Sequence, residues 1–147
     1  MIALLDDGVQ LDHPGLAANI FSNPGESANG LDDDGNGYVD DLHGWDFYRG
    51  DNDPSPESDT DRHGTAAAGV AAATGNGNGI TGIAYGCQIM PIKIMGGDDW
   101  AADSVLAEAV YYAAGRSRDG LGTWRGADVI SLSVSFQIGR ASCRERV

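Results

Sequence analysis

At 147 residues the chain is long enough to form one domain with a substantial core. Its formal net charge of −13, from 22 acidic against 9 basic residues, argues against nucleic acid and anionic membranes, both of which call for Lys and Arg. No apolar run approaches the length of a membrane span, no charged-then-apolar signal peptide opens the chain, and Cys87 and Cys143 alone give no disulfide framework.

Residues 2–5 form a continuous apolar run, the pattern of a strand buried on both faces, and Asp7-Gly8 ends it. Because Met1 leads straight into this strand, a missing upstream segment is expected. Residues 11–16 read as a turn or one helical turn. Residues 23–61 are rich in Gly, Asp, Asn and Pro with little periodicity, too long for an ordinary connection and therefore functional or ion-organised. Twelve of the 22 acidic residues lie between Glu26 and Asp61, and Arg49 is the only basic residue among them.

His63 opens a helix of small residues over 64–74, slim enough to lie close against a sheet, and residues 74–79 follow as a loop. An imidazole at an exposed first turn can move protons near neutral pH. Residues 88–94 read as a second strand, with Pro91 at an edge or bulge. Asp103 is a plausible N-cap for a helix over 104–115, where Val105, Ala109, Tyr112 and Ala113 recur at helical spacing and Tyr111 and Tyr112 read as helix packing. A third strand is predicted over 128–134. Strands alternating with helices predict an α/β fold, a parallel sheet with helices packed on it. Ligands in such sheets sit at the carboxyl ends of the strands, where Asp6 and residues 133–135 fall.

Four motifs occur in one order: Asp6-Asp7-Gly8, His63-Gly64-Thr65-x-x-Ala68-Gly69, Pro91-Ile92-Lys93-Ile94, and Ala127 through Ser133 (Ala-Asp-Val-Ile-Ser-Leu-Ser). In these the chain resembles the subtilisin-like serine proteases (peptidase S8, subtilases) over residues 2–136, with the family's chain order of acid, histidine and serine. The resemblance implies a three-layer subtilisin-like fold, a parallel sheet flanked by helices, present here incompletely. It implies that Asp6 orients and stabilises the imidazole and that His63 serves as general base and then acid. It also implies that Ser133, Val134 and Ser135, with the segment around Gly97, hold a polypeptide substrate in extended form. A secreted or cell-surface location and a propeptide in the parent protein are further expectations of the resemblance.

The departures are specific. Asp7 stands where the family usually has Thr or Ser, and a second carboxylate beside Asp6 is expected to raise the pKa of one of them. Ala66 replaces a common histidine, and Ser135 and Phe136 replace common glycines. No Gly-Thr-Ser nucleophile motif occurs in the chain, so this fragment by itself is expected to be inactive. Residues 137–147 fit nothing before them. They match, codon for codon, one reading frame of a widely used short-read sequencing adapter, so the biological part is taken as 1–136, with a charge of 6 − 21 = −15. Ser142 and Cys143 are accordingly not candidate nucleophiles.

Residues 32–41 contain Asp-x-Asp-x-Asn-Gly, which places Asp32, Asp34 and Asn36 on one side of a tight turn with the Tyr38 carbonyl next. That is the first half of an EF-hand-type loop, suited to a hard cation such as calcium. The twelfth position is His43 and not Glu, so Asp40 or Asp41 would have to close the shell. Calcium-dependent members of the family carry similar acidic insertions ahead of the histidine. Two other readings remain open at this level: a non-catalytic calcium-binding module built around 32–41, and a pseudoprotease ending near Phe136.

Overall fold

The apolar run at the start of the chain forms β1, Ile2–Asp6, and the sheet extends to both sides of it. The computed structural model describes residues 1–77, 79–97, 99–119 and 125–133. Four parallel strands lie in the order β2 (Trp45–Asp46), β3 (Ile89–Lys93), β1, β6 (Val129–Leu132). Ile2 lies opposite Ile89 and Val129, and Leu5 opposite Ile92 and Leu132.

Side chains alternate across a strand, so the unbroken apolar run of β1 feeds two cores. On one face Leu4 and Ile89 pack with Val9, Leu16 and Ile20 under helix α1, His63–Ala72, through Ala68 and Ala72. The buried side of α1 is Gly64, Ala68, Gly69 and Ala72, which brings its backbone close to the sheet. On the other face Ala3, Leu5, Met90 and Ile92 pack under helix α2, Asp103–Ala113, through Ala109, Tyr112 and Ala113, together with Tyr38, Trp45 and Phe47. Helix, sheet, helix: this is the expected three-layer α/β arrangement.

Several expectations shift in detail. Asp103 is the first helical residue of α2, not its cap; Ala102, in extended conformation, occupies the cap position. The Asp103 charge sits in the first turn, where the helix dipole favours an acid. Tyr112 is buried as helix packing requires, but Tyr111 lies on the exposed side of the same helix. A short antiparallel hairpin, β4 (Met95–Gly96) with β5 (Asp99–Trp100), follows β3 and has no periodicity long enough to predict.

Pro91 is not at an edge, because β3 lies between β2 and β1. Its tolerance follows from parity. The carbonyls of Ile89 and Lys93 accept from Phe21 and Phe47 on the β2 side, while Gln88 accepts from Ile2 and Ile94 donates to Asp6 on the β1 side. Pro91 therefore turns its nitrogen toward β2, whose pairing begins only at Trp45 opposite Ile92. No ladder bond is lost there.

Gly44, one residue before β2, has φ +120°, and a Cβ at this position would be built into the carbonyl oxygen of Pro91. The approach of β2 to β3 thus depends on glycine. Gly44→Ala is expected to destabilise the fold by about 2–4 kcal/mol, from backbone strain and lost β2 pairing, measured by urea denaturation. An unchanged denaturation midpoint would contradict this placement.

Candidate active site and acidic loop

Two neighbouring carboxylates at the carboxyl end of β1 converge on His63. Asp6 is 1 % exposed, and its Oδ1 and Oδ2 lie 2.8 and 2.9 Å from His63 Nδ1. A carboxylate facing Nδ1 requires the proton there, so neutral His63 keeps its lone pair on Nε2. The imidazole side chain is 59 % exposed, and among the described residues no side chain hydrogen-bonds its Nε2. An oriented imidazole with an open basic nitrogen can take a proton from a hydroxyl placed beside it.

The electrostatics follow from burial and pairing. Burial raises the pKa of Asp6 above its ordinary value, against the amide of Asp7 and the imidazole, which pull it down. His63 is raised, first by its hydrogen bond to Asp6 and then by that carboxylate's charge. The Asp7 side chain turns away from Asp6 toward α1. Its Oδ2 accepts from the His63 amide at 3.0 Å and its Oδ1 from the Gly64 amide at 2.6 Å.

The rim of the site is tied together by residues 46–61. Lys93, at the end of β3 and paired in register with Asp6, is buried, and its Nζ reaches Asp46 at 3.1 Å and Glu57 at 2.9 Å. Burial pushes its pKa down, but the bonds to Glu57 and Asp46 outweigh it and keep the ammonium charged. Arg49 grips the same Glu57 through two nitrogens, and Glu57 is pulled down to about 2, by Arg49 first and then by Lys93. Asp61, two residues before His63, accepts from the amide of Gly97 at 3.0 Å. Gly97 thus lies just past β4, with its N–H engaged by Asp61. Ser133 is exposed just past β6, where Leu5 pairs with Leu132, and so stands level with Asp6. Val134, Ser135 and residues 137–147 lie outside the described residues.

The acidic loop is organised by its own hydrogen bonds. Glu26, Asp32 and Asp34 each offer a carboxylate oxygen, and these atoms lie within 4.8 Å of one another. An all-oxygen anionic set of this kind suits a hard cation. The other predicted ligands are placed differently. Asp41 is 0 % exposed and accepts from Asn23, Asn36 and the Tyr112 hydroxyl; burial raises its carboxyl to about 6 in spite of those three bonds. Asp40, at φ +56°, accepts from the amides of Asn29 and Gly30. Asn36 takes the Tyr38 amide on its Oδ1. The Tyr38 ring is buried edge-on against Trp45, Phe47 and Tyr112, with ring centroids 4.8–5.5 Å apart.

Sequence reading missed Glu26, whose signal was its place as the first acid of the run. It also missed the anchoring role of Asp7, and for that no local pattern exists. Ala66 adds no side-chain bond at the site.

The parallel α/β sheet thus carries a buried acid on one strand end and a histidine on the adjacent helix, at the edge where such sheets bind ligands. The comparisons place it further. The profile of the subtilase family (peptidase S8) matches residues 1–147, and the chain belongs to that family. Thermitase of Thermoactinomyces vulgaris is 31 % identical over 147 residues, covering 99 % of this chain and 41 % of thermitase. The halolysin-like extracellular serine protease Nep of Natrialba magadii is 31 % identical over 135 residues, covering 91 % of this chain and 20 % of that protein. The Aeromonas sobria serine protease, solved with its chaperone, superposes with a TM-score of 0.62 at 26 % identity, covering 93 % of this chain and 18 % of that one. A protease from Pseudoalteromonas arctica gives 0.65 at 26 % identity, covering 90 % and 40 %. The chain thus spans between 18 % and 41 % of the length of these relatives.

The raised pKa of His63 has a definite sign. Its pairing with Asp6 stabilises the fold fully below the unfolded imidazole value of 6.5, and that contribution is lost as pH rises through the folded value. Asp6→Asn removes the charge responsible, so the NMR titration midpoint of His63 should move to lower pH. A midpoint that stays where it is would mean the carboxylate does not hold the ring.

Proposed function

We propose that the protein carrying this chain is a serine endopeptidase in which Asp6 and His63 are two members of the catalytic triad, and that the serine is supplied from outside residues 1–136. The Asp6–His63 Nδ1 contact at 2.8 Å carries the reading, and membership of the subtilase family supports it. Nε2 of His63 takes the proton of the serine hydroxyl as its oxygen bonds to the peptide carbonyl. The buried Asp6 carboxylate stabilises the imidazolium that results. His63 then delivers the proton to the departing amine, and a water activated by the same Nε2 releases the acyl group.

In this reading a polypeptide substrate lies extended between the carbonyl of Gly97 and the backbone of Ser133, Val134 and Ser135. Pairing through backbone atoms accepts many sequences, and pockets set the preference. We also propose a secreted or cell-surface location, which the kinship with a protein named as an extracellular protease supports; no described helix is long and apolar enough to cross a membrane. The family resemblance leads us to include a propeptide among the proposed partners.

In the full-length protein, His63→Ala is expected to lower kcat on a fluorogenic peptide by about 10^4-fold or more, with the protein still folded. A variant that keeps the rate of its parent would remove His63 from the chemistry.

Calcium is the second element of the proposal, held by Glu26, Asp32 and Asp34, whose oxygens already converge. Carboxyl oxygens of this kind supply the hard, anionic donors that calcium prefers, and the ion would offset their mutual repulsion. The role is structural, since Tyr38 and Asp41 tie the same loop to the core beneath α2. Calorimetric titration of the full-length protein should lose one calcium site on Asp34→Ala. An isotherm identical to that of the unmodified protein would rule the site out, and the loop would then stand on its internal hydrogen bonds alone.

A further inference from the structure

Helix α1 starts without a cap of its own: Arg62, at the cap position, makes no capping bond with its side chain. The first amides of any helix lack intrahelical acceptors and need one from elsewhere. Asp7 supplies it from the end of another element. Its carboxylate is 7 % exposed and takes the His63 amide on one oxygen and the Gly64 amide on the other. Gly64 is what permits the approach, because a Cβ there would strike the carbonyl oxygen of Gly8 and come within 2.9 Å of Asp7 Oδ1. A second tether runs beside it, the Gln10 amide donating to Thr65 Oγ1 at 3.0 Å. The five residues after β1's last core position thus grip the first turn of α1 at three points: ring, backbone and hydroxyl.

We propose that Asp7 is a positioning residue for His63: it fixes the backbone from which the imidazole projects, so that Nδ1 meets Asp6 and Nε2 stays open. The proposal rests on reading Asp6 and His63 as the catalytic pair. The Thr or Ser that the resemblance leads one to expect here offers one oxygen, and a carboxylate offers two. The carboxylate seats each amide on an oxygen of its own. Asp7 also adds negative charge beside the ring. The charged groups acting on His63 are Asp6 and Asp7; its neighbour Arg62 is turned to the carbonyl of Asp59, and Asp61 is engaged by Gly97 and Ser58.

The test compares Asp7→Ala and Asp7→Asn in the full-length protein by three readouts: thermal midpoint, His63 imidazole titration by NMR, and kcat and KM on a fluorogenic peptide. A positioning role predicts that Asp7→Ala, studied well below its thermal midpoint, titrates His63 at lower pH. It also predicts a loss in kcat of tenfold or more, with KM within about twofold. Asp7→Asn keeps one acceptor oxygen and should fall between Asp7→Ala and the parent in kcat. A cap of purely structural use would lower the thermal midpoint and, whatever the lost charge does to the titration, leave kcat at the parental value, which overturns the proposal. If Asp7→Ala does not fold, Asp7→Asn decides alone: a parental titration and kcat overturn it, a shift in both supports it. Should the parent hydrolyse no peptide, the protease reading fails, and the NMR resonance of the His63 Nδ1 proton held by Asp6, lost or kept in Asp7→Ala, still decides whether Asp7 holds the ring.

Discussion

The structure depends on what happens at the end of one buried strand. β1 carries two consecutive carboxylates into a nearly water-free corner, and an ionised carboxylate there is tolerated only if its lone pairs are taken. Asp6 is satisfied by the His63 ring and the Asp7 amide, and Asp7 by the two amides that open α1. Because successive side chains leave a strand in opposite directions, one dipeptide reaches both the ring and the backbone of the same histidine. The small-residue face of α1 is the other half of this arrangement, since only Gly and Ala let the helix come near enough for short side chains to reach it.

The second charged feature uses the same physics differently. Residues 23–41 hold many acids, yet most of their oxygens are already spent on neighbouring amides, and Asp41 lies at the heart of a polar cluster with Asn23, Asn36 and Tyr112. Tyr38 plugs the loop into the aromatic core beneath α2. A long irregular segment can be ordered when a buried anchor and local side-chain-to-amide bonds replace regular structure. Glu26, buried, takes the amides of Asp34 and Asp40, and its carboxylate converges with those of Asp32 and the exposed Asp34. On the far side of the site, Lys93 and Arg49 share Glu57, so residues 46–57 are pinned to the strand end that lies beside Asp6.

Much of this was legible in the sequence, for a physical reason in each case. The run at 2–5, the small-residue helix after His63 and the helical spacing of Val105, Ala109 and Tyr112 are patterns set by burial, and burial is periodic. The pairing of Asp6 with His63 followed the order of the motifs, and the roles proposed for the two residues rest on that order. What escaped depends on contacts between distant residues: Asp7 meets the helix 56 and 57 positions later, and Lys93 meets Glu57 across 36. Asp40 and Asp41 illustrate the same limit from the other side. Their spacing suggests ligands, but the folded loop turns Asp41 inward to a tyrosine hydroxyl that no local motif reveals. Pro91 sits inside a sheet because strand parity points its nitrogen at an unpaired stretch, and parity is visible only once the neighbours are known.

The most direct measurement is active-site labelling of the full-length protein with a fluorophosphonate, located by mass spectrometry, with and without His63→Ala. The account predicts one serine adduct outside residues 1–136 that forms in the parent and is lost in the variant. An absence of adduct in the folded parent, or an adduct indifferent to His63, would contradict the assignment of Asp6 and His63 to a serine-protease triad.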